Sequence, residues 1–163
     1  MKCAIIGKIG SGKTTFCQIL DKADKVVICA DDFVNEFYGS NEGIEYVRSY
    51  FPEAVFYCGT LEYIDKEILT VLLLKNKEKR KKFEDGIAKI LMKEVKRQEK
   101  LYGDIYVDGV LPKFIKEFDQ VLYIERKRKD RMRDVTRNRK VMKEQFLKIE
   151  KLQKRMFPSF FEE

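Results

Sequence analysis

Apolar residues fall along this chain in two rhythms. Four short runs, Cys3-Ala4-Ile5-Ile6, Lys25-Val26-Val27-Ile28-Cys29-Ala30, Asp104-Ile105-Tyr106-Val107-Asp108 and Gln120-Val121-Leu122-Tyr123-Ile124-Glu125, read as buried strands. Between them the spacing changes to three and four residues. Phe16, Ile19 and Leu20 offer one apolar helical face, and Phe83, Ile87, Ile90, Leu91 and Val95 offer another after a charged helix start over residues 75–82. Residues 43–74 also read as helical. Tyr46, Val47, Tyr50 and Phe51 form one piece, Leu61, Ile64, Ile68 and Leu72 a second, and Phe51-Pro52 separates them. Within this stretch Tyr46, Tyr50, Phe51, Phe56 and Tyr57 are either core or the lining of a pocket for a base or acyl chain. Strands alternating with helices predict an α/β fold with a small, mostly parallel sheet of about four strands. No repeat or Gly/Ser linker divides the chain, so residues 1–163 are read as a single domain.

The stretch after the first strand carries chemistry. Gly7-Lys8-Ile9-Gly10-Ser11-Gly12-Lys13-Thr14-Thr15 fits the phosphate-loop pattern G-x-x-x-x-G-K-[ST] without a mismatch. Glycines let the backbone turn so that successive N–H groups face phosphate oxygens, and the positive end of the following helix attracts the same anion. Lys13 then reaches the terminal phosphates, and Thr14 offers a hydroxyl to magnesium, a hard cation that takes oxygen ligands. Nucleoside triphosphate binding is the expectation.

Composition narrows the remaining chemistry. With no histidine among 163 residues, any general base is a carboxylate, lysine, tyrosine or cysteine, and histidine metal sites are excluded. The net charge of +7 suits phosphate-rich ligands, nucleic acid or an acidic membrane surface, without choosing among them. Cys3, Cys17, Cys29 and Cys58 form no C-x-x-C pair, and neither a secretory signal nor a long apolar span is present, which predicts a reduced, cytoplasmic protein without a membrane span.

Two aspartates stand where parallel strands end, the edge at which open α/β sheets bind ligands. Asp31 follows the second strand and is a candidate for activating an acceptor; the competing use of Asp31-Asp32 is a helix N-cap. Asp108 ends the third strand and is either a holder of magnesium-bound water or a turn residue before Gly109. Beyond the fourth strand, residues 126–140 carry nine Lys or Arg against Asp130 and Asp134. Arg133 and Arg137, four apart, share a helix face and are candidates to clamp a transferring phosphoryl group. A nucleic-acid surface and a merely solvated helix are the alternatives. A GTPase is disfavoured, because no N-K-x-D motif follows the fourth strand.

In this order of parts the chain resembles the dephospho-coenzyme A kinases, in the nucleoside monophosphate kinase-like branch of phosphate-loop proteins. Ile28-Cys29-Ala30-Asp31 is similar to that family's I-D-A-D, Gly59-Thr60-Leu61 to its D-G-x-L turn, and the stretch from Arg133 through Arg137, with Glu144, Gln145 and Gln153, to its lid and C-terminal helix. The resemblance implies a kinase core over residues 1–30 and 103–163, a helical substrate-side insertion over about 40–102, and a lid over about 126–140. It further implies ATP with Mg2+, and transfer to the 3′-hydroxyl of dephospho-coenzyme A as small-molecule acceptor. Asp31 would be the hydroxyl-activating base, and the lid arginines would stabilise the transferring group. Cys29, Tyr63, Ala88-Lys89 and Gly109-Val110-Leu111-Pro112 depart from the family pattern, and the sequence ends where the family continues into a fifth strand. A nucleotide or polynucleotide kinase of the same fold, or a non-catalytic nucleotide-binding module, are the other readings.

Overall fold

A computed structural model describes residues 1–138 and 142–156. The chain divides into two compact units, residues 1–28 with 98–163, and residues 29–97.

The first unit is built on β1 (Lys2–Gly7), whose Cys3, Ala4, Ile5 and Ile6 are all buried. Helix α1 (Lys13–Lys22) follows the phosphate loop, and β2 (Val26–Cys29) leads out of the unit. The chain returns through the last turn of the long helix α5 (Lys77–Tyr102) into β5 (Ile105–Asp108), then β6 (Gln120–Ile124) and two helices, α6 (Arg128–Asn138) and α7 (Lys143–Met156). The four strands lie in the order β2-β5-β1-β6, with β1 parallel to both neighbours. Parallel pairing brings strand ends to one edge, and the register sets Asp108 opposite Ile5, two residues before the loop begins. The helical face expected on α1 is weaker than its spacing implies: Ile19 is 59% exposed, while Phe16 and Leu20 are half-buried.

In the second unit, α2 (Ala30–Tyr38), α3 (Asn41–Tyr50), α4 (Lys66–Lys75) and most of α5 surround one core. Phe37, Val47, Phe51, Leu69, Phe83 and Ile87 are buried there, with Tyr46 and Tyr50 packed against them. The Tyr46 and Phe83 rings lie 5.1 Å apart, and Phe51 and Phe83 5.6 Å. These aromatics are therefore core, whereas Tyr57 is exposed.

The helical reading of residues 55–64 is corrected. They form an antiparallel hairpin, β3 (Val55–Cys58) and β4 (Leu61–Ile64), with Cys58 opposite Leu61. Gly59, at φ 63°, supplies the left-handed residue that a two-residue hairpin turn needs. Asp65 then starts α4, its carboxylate accepting from the Glu67 and Ile68 amides at 3.0 Å.

Candidate active site

The phosphate loop is a strand-to-helix turn whose outer side is anchored and whose inner amides are unsatisfied. Gly10 and Gly12 take φ of 75° and 90°, a region that costs any side chain. Gly10 also admits no Cβ, which would lie 2.7 Å from the Arg131 carbonyl oxygen and 2.8 Å from Val135 Cγ2. The Ser11 amide donates to the Lys8 carbonyl at 3.0 Å, closing the turn. The amides of Gly10, Gly12, Lys13 and Thr14 have no acceptor among the described residues. Such donors at a helix N-terminus form an anion site. The Ser11 hydroxyl is also buried without a hydrogen-bond partner among the described residues, and it sits against Gly7, where a Cβ would clash with its oxygen.

Lys13 and Asp108 meet at the strand edge, Nζ to Oδ1 at 3.0 Å. Both are mostly shielded from solvent, with side-chain exposures of 29% and 17%. A cation and a carboxylate thus stand at the mouth of the amide cradle, where a nucleotide's terminal phosphates and a magnesium ion would both require ligands. Thr14 and Asp108 fit the ion in kind: two hard oxygens, leaving the rest of an octahedral shell to phosphate and water. Among the described residues no group of three or more Cys, Asp or Glu could hold a metal by itself.

The family model for dephospho-CoA kinase matches residues 1–156. The chain belongs to the dephospho-CoA kinase family. It is an ATP-dependent kinase, and its activity is phosphorylation of dephospho-CoA. Solved structures share the fold. TT1252 from Thermus thermophilus superimposes with a TM-score of 0.70 at 23% identity, covering 93% of this chain and 79% of that one. A dephospho-CoA kinase from Campylobacter jejuni does so with a TM-score of 0.59 at 19% identity, over 98% and 82%. No curated protein sequence matches significantly.

The first unit also holds the basic segment. Arg133 is exposed and pairs with Asp130 at 3.1 Å; Arg137 is exposed, with no ion pair among the described residues. Arg139 and Lys140, at the end of the expected lid, lie outside the described residues. Three neighbours in the run are engaged within the chain, two of them exposed and one buried. The Arg126 guanidinium donates to the Gly10 carbonyl at 3.4 Å and Arg128 to Glu150 at 2.8 Å. Arg131, merely one charge of the run in the sequence, is 2% exposed and donates to the Ile9 carbonyl at 3.1 Å and to Glu150 at 3.0 Å. Burial pushes the Glu150 carboxyl upward, but hydrogen bonds from Arg128 and Arg131 and their charges outweigh it, leaving it below the usual carboxylate range.

In the second unit, Asp31 and Asp32 occupy the first turn of α2 and are exposed. The N-cap is Cys29, whose side chain makes no capping hydrogen bond, so neither aspartate serves as the cap residue. The same helix borders a cleft of about 570 Å³ within this unit, floored by Phe33, Phe37 and Ile90 and rimmed by Glu36, Glu42, Lys93, Glu94 and Arg97. Tyr63 lies on β4, its ring centroid 6.0 Å from that of Phe56, and Ala88 is buried within α5.

Proposed function

We propose that the chain transfers the γ-phosphoryl group of ATP to the 3′-hydroxyl of dephospho-CoA, with Asp31 as general base. The Asp31 carboxylate takes the hydroxyl proton as the new O–P bond forms and the bond to the ADP leaving group breaks. Its exposed position, uncommitted to capping and two residues past a strand of the phosphate-loop sheet, suits that task. The loop amides and Lys13 bind and neutralise the polyphosphate, while Arg133 and Arg137 stabilise charge on the transferring group. Thr14 and Asp108 would hold magnesium, which when bound would offset the negative charge of the triphosphate. The apolar floor of the α2–α5 cleft suits an apolar part of the acceptor, while its charged rim is mixed, with Lys93 and Arg97 among Glu36, Glu42 and Glu94. Cys3, Cys17, Cys29 and Cys58 form no disulfide, which fits a reduced, cytoplasmic setting, and no described helix is long and apolar enough to cross a membrane.

The observation that carries this mechanism is the Lys13–Asp108 contact beside unsatisfied loop amides. A panel of hydroxyl acceptors incubated with ATP and magnesium, scored by ADP release, tests it. Dephospho-CoA is expected to turn over with a 3′-phosphorylated product. Turnover of nucleosides or polynucleotide ends in its place would move the acceptor assignment, and ADP release from none would leave a nucleotide-binding module.

A further inference from the structure

We infer that Gln153 and Arg131 are positioning residues for the phosphate loop, holding its outer side so that its inner amides stay available to the triphosphate. This rests on the loop being an ATP site, as proposed above.

Among the described residues the two buried polar side chains are Ser11 and Arg131, one inside the loop and the other directly behind it. Ile9 is held at both ends of its peptide chemistry. Its N–H donates to Gln153 Oε1 at 2.8 Å, and its C=O accepts from Arg131 Nη1 at 3.1 Å. Ile9 therefore faces its polar groups toward helices α6 and α7, while the amides of Gly10, Gly12, Lys13 and Thr14 have no acceptor among the described residues.

Each guanidinium nitrogen of Arg131 has a partner. Nε donates to the Arg126 carbonyl at 3.1 Å, Nη1 to Ile9, Nη2 to Glu150 at 3.0 Å, and the guanidinium carbon lies 5.8 Å from the Phe146 ring centre. One side chain thus joins the loop, the approach to α6, and α7. A lysine cannot reproduce that fork.

The inward stripe of α7 has the same logic. Phe146, Glu150 and Gln153 recur at intervals of four and three, the spacing of one helical face, yet two of the three are polar. Leu147, Ile149 and Leu152 on the same helix are exposed. An arrangement that leaves leucine in water and turns a glutamine and a glutamate inward is set by what they hold. Fixing a phosphate cradle before its ligand arrives lowers the ordering cost of binding, so the effect should fall on ATP affinity.

Gln153→Met keeps the bulk of the side chain and removes the acceptor; Gln153→Glu keeps the acceptor. ATP dissociation constants, KM for each substrate, kcat and thermal midpoints are measured on all proteins, with Arg131→Lys as a further variant. Gln153→Met should weaken ATP binding by about three- to tenfold, the range of one neutral hydrogen bond. Saturated kcat and acceptor KM should hold, and Gln153→Glu should recover part of the ATP affinity. Arg131→Lys should weaken ATP binding at least as much. Unchanged ATP affinity in Gln153→Met, or equal losses in ATP affinity, acceptor KM and thermal midpoint without recovery in Gln153→Glu, would overturn the inference. Failure of the unaltered protein to bind ATP is a separate result, overturning the ATP-site reading and this inference with it.

Discussion

At the scale of single residues, two carboxylates at strand ends have different surroundings. Asp108 is half-buried and already paired with Lys13. Asp31 is exposed in the first turn of α2, where a negative charge also interacts favourably with the helix dipole. These two uses of Asp31 separate under substitution. Asp31→Asn keeps the size of the side chain and removes the base, so kcat should fall about 100-fold or more with ATP affinity nearly unchanged. The dipole contribution is only about 0.3–1 kcal/mol, so the thermal midpoint should shift little. Retained turnover together with a clear loss of thermal stability would make Asp31 a helix-start residue and nothing more.

At the scale of elements, the α6–α7 pair supports the loop through a buried charge. Removing one partner of such a pair leaves the other uncompensated, which costs about 3 kcal/mol. Glu150→Gln should therefore destabilise the protein by roughly that amount at neutral pH, as measured by urea unfolding. The pH dependence follows from the depressed carboxyl. Because the folded pKa lies below the unfolded value of 4.5, the stabilisation is present above 4.5 and is lost as pH falls from there through the folded value. The gap between the unaltered protein and Glu150→Gln should narrow over that acid range. A gap of constant size down to the lowest pH at which both remain folded would show that the Glu150 charge does not contribute.

For the whole molecule, the net charge of +7 also suits a polynucleotide, and the basic run is where such binding would be separated from a role in small-acceptor turnover. Of the nine basic residues in the run, three engage the loop or α7 among the described residues: Arg126 and Arg131 hold loop carbonyls, and Arg128 and Arg131 share Glu150. A lid and a continuous phosphate-tracking surface make different predictions for the rest of the run. Arg137→Ala, and with it Arg133→Ala, should depress turnover strongly, while neutralising Lys127 or Lys129 does little. Turnover and single-strand or duplex binding at two salt concentrations measure the difference. Tight, salt-sensitive polynucleotide binding that all four substitutions erode alike, without small-acceptor turnover, would reverse the assignment.

Contiguous residues made the phosphate loop, the four sheet strands and the strand-end position of Asp108 legible in sequence. A strand–glycine turn–helix is local: its geometry is dictated by neighbours within a dozen positions. The hairpin at 55–64 was not legible, because Leu61, Ile64, Ile68 and Leu72 happen to keep helical spacing across what is really a strand and a separate helix. Cross-strand pairing of Val55 with Ile64 and the Asp65 cap decide against one continuous helix. The loop support was equally hidden. Nothing local distinguishes Arg131 from the charges around it, or turns Glu150 and Gln153 inward in place of Ile149 and Leu152. Only when α6 and α7 pack behind the loop do Ile9's own amide and carbonyl, which must find partners once shielded from water, select which side chains face them.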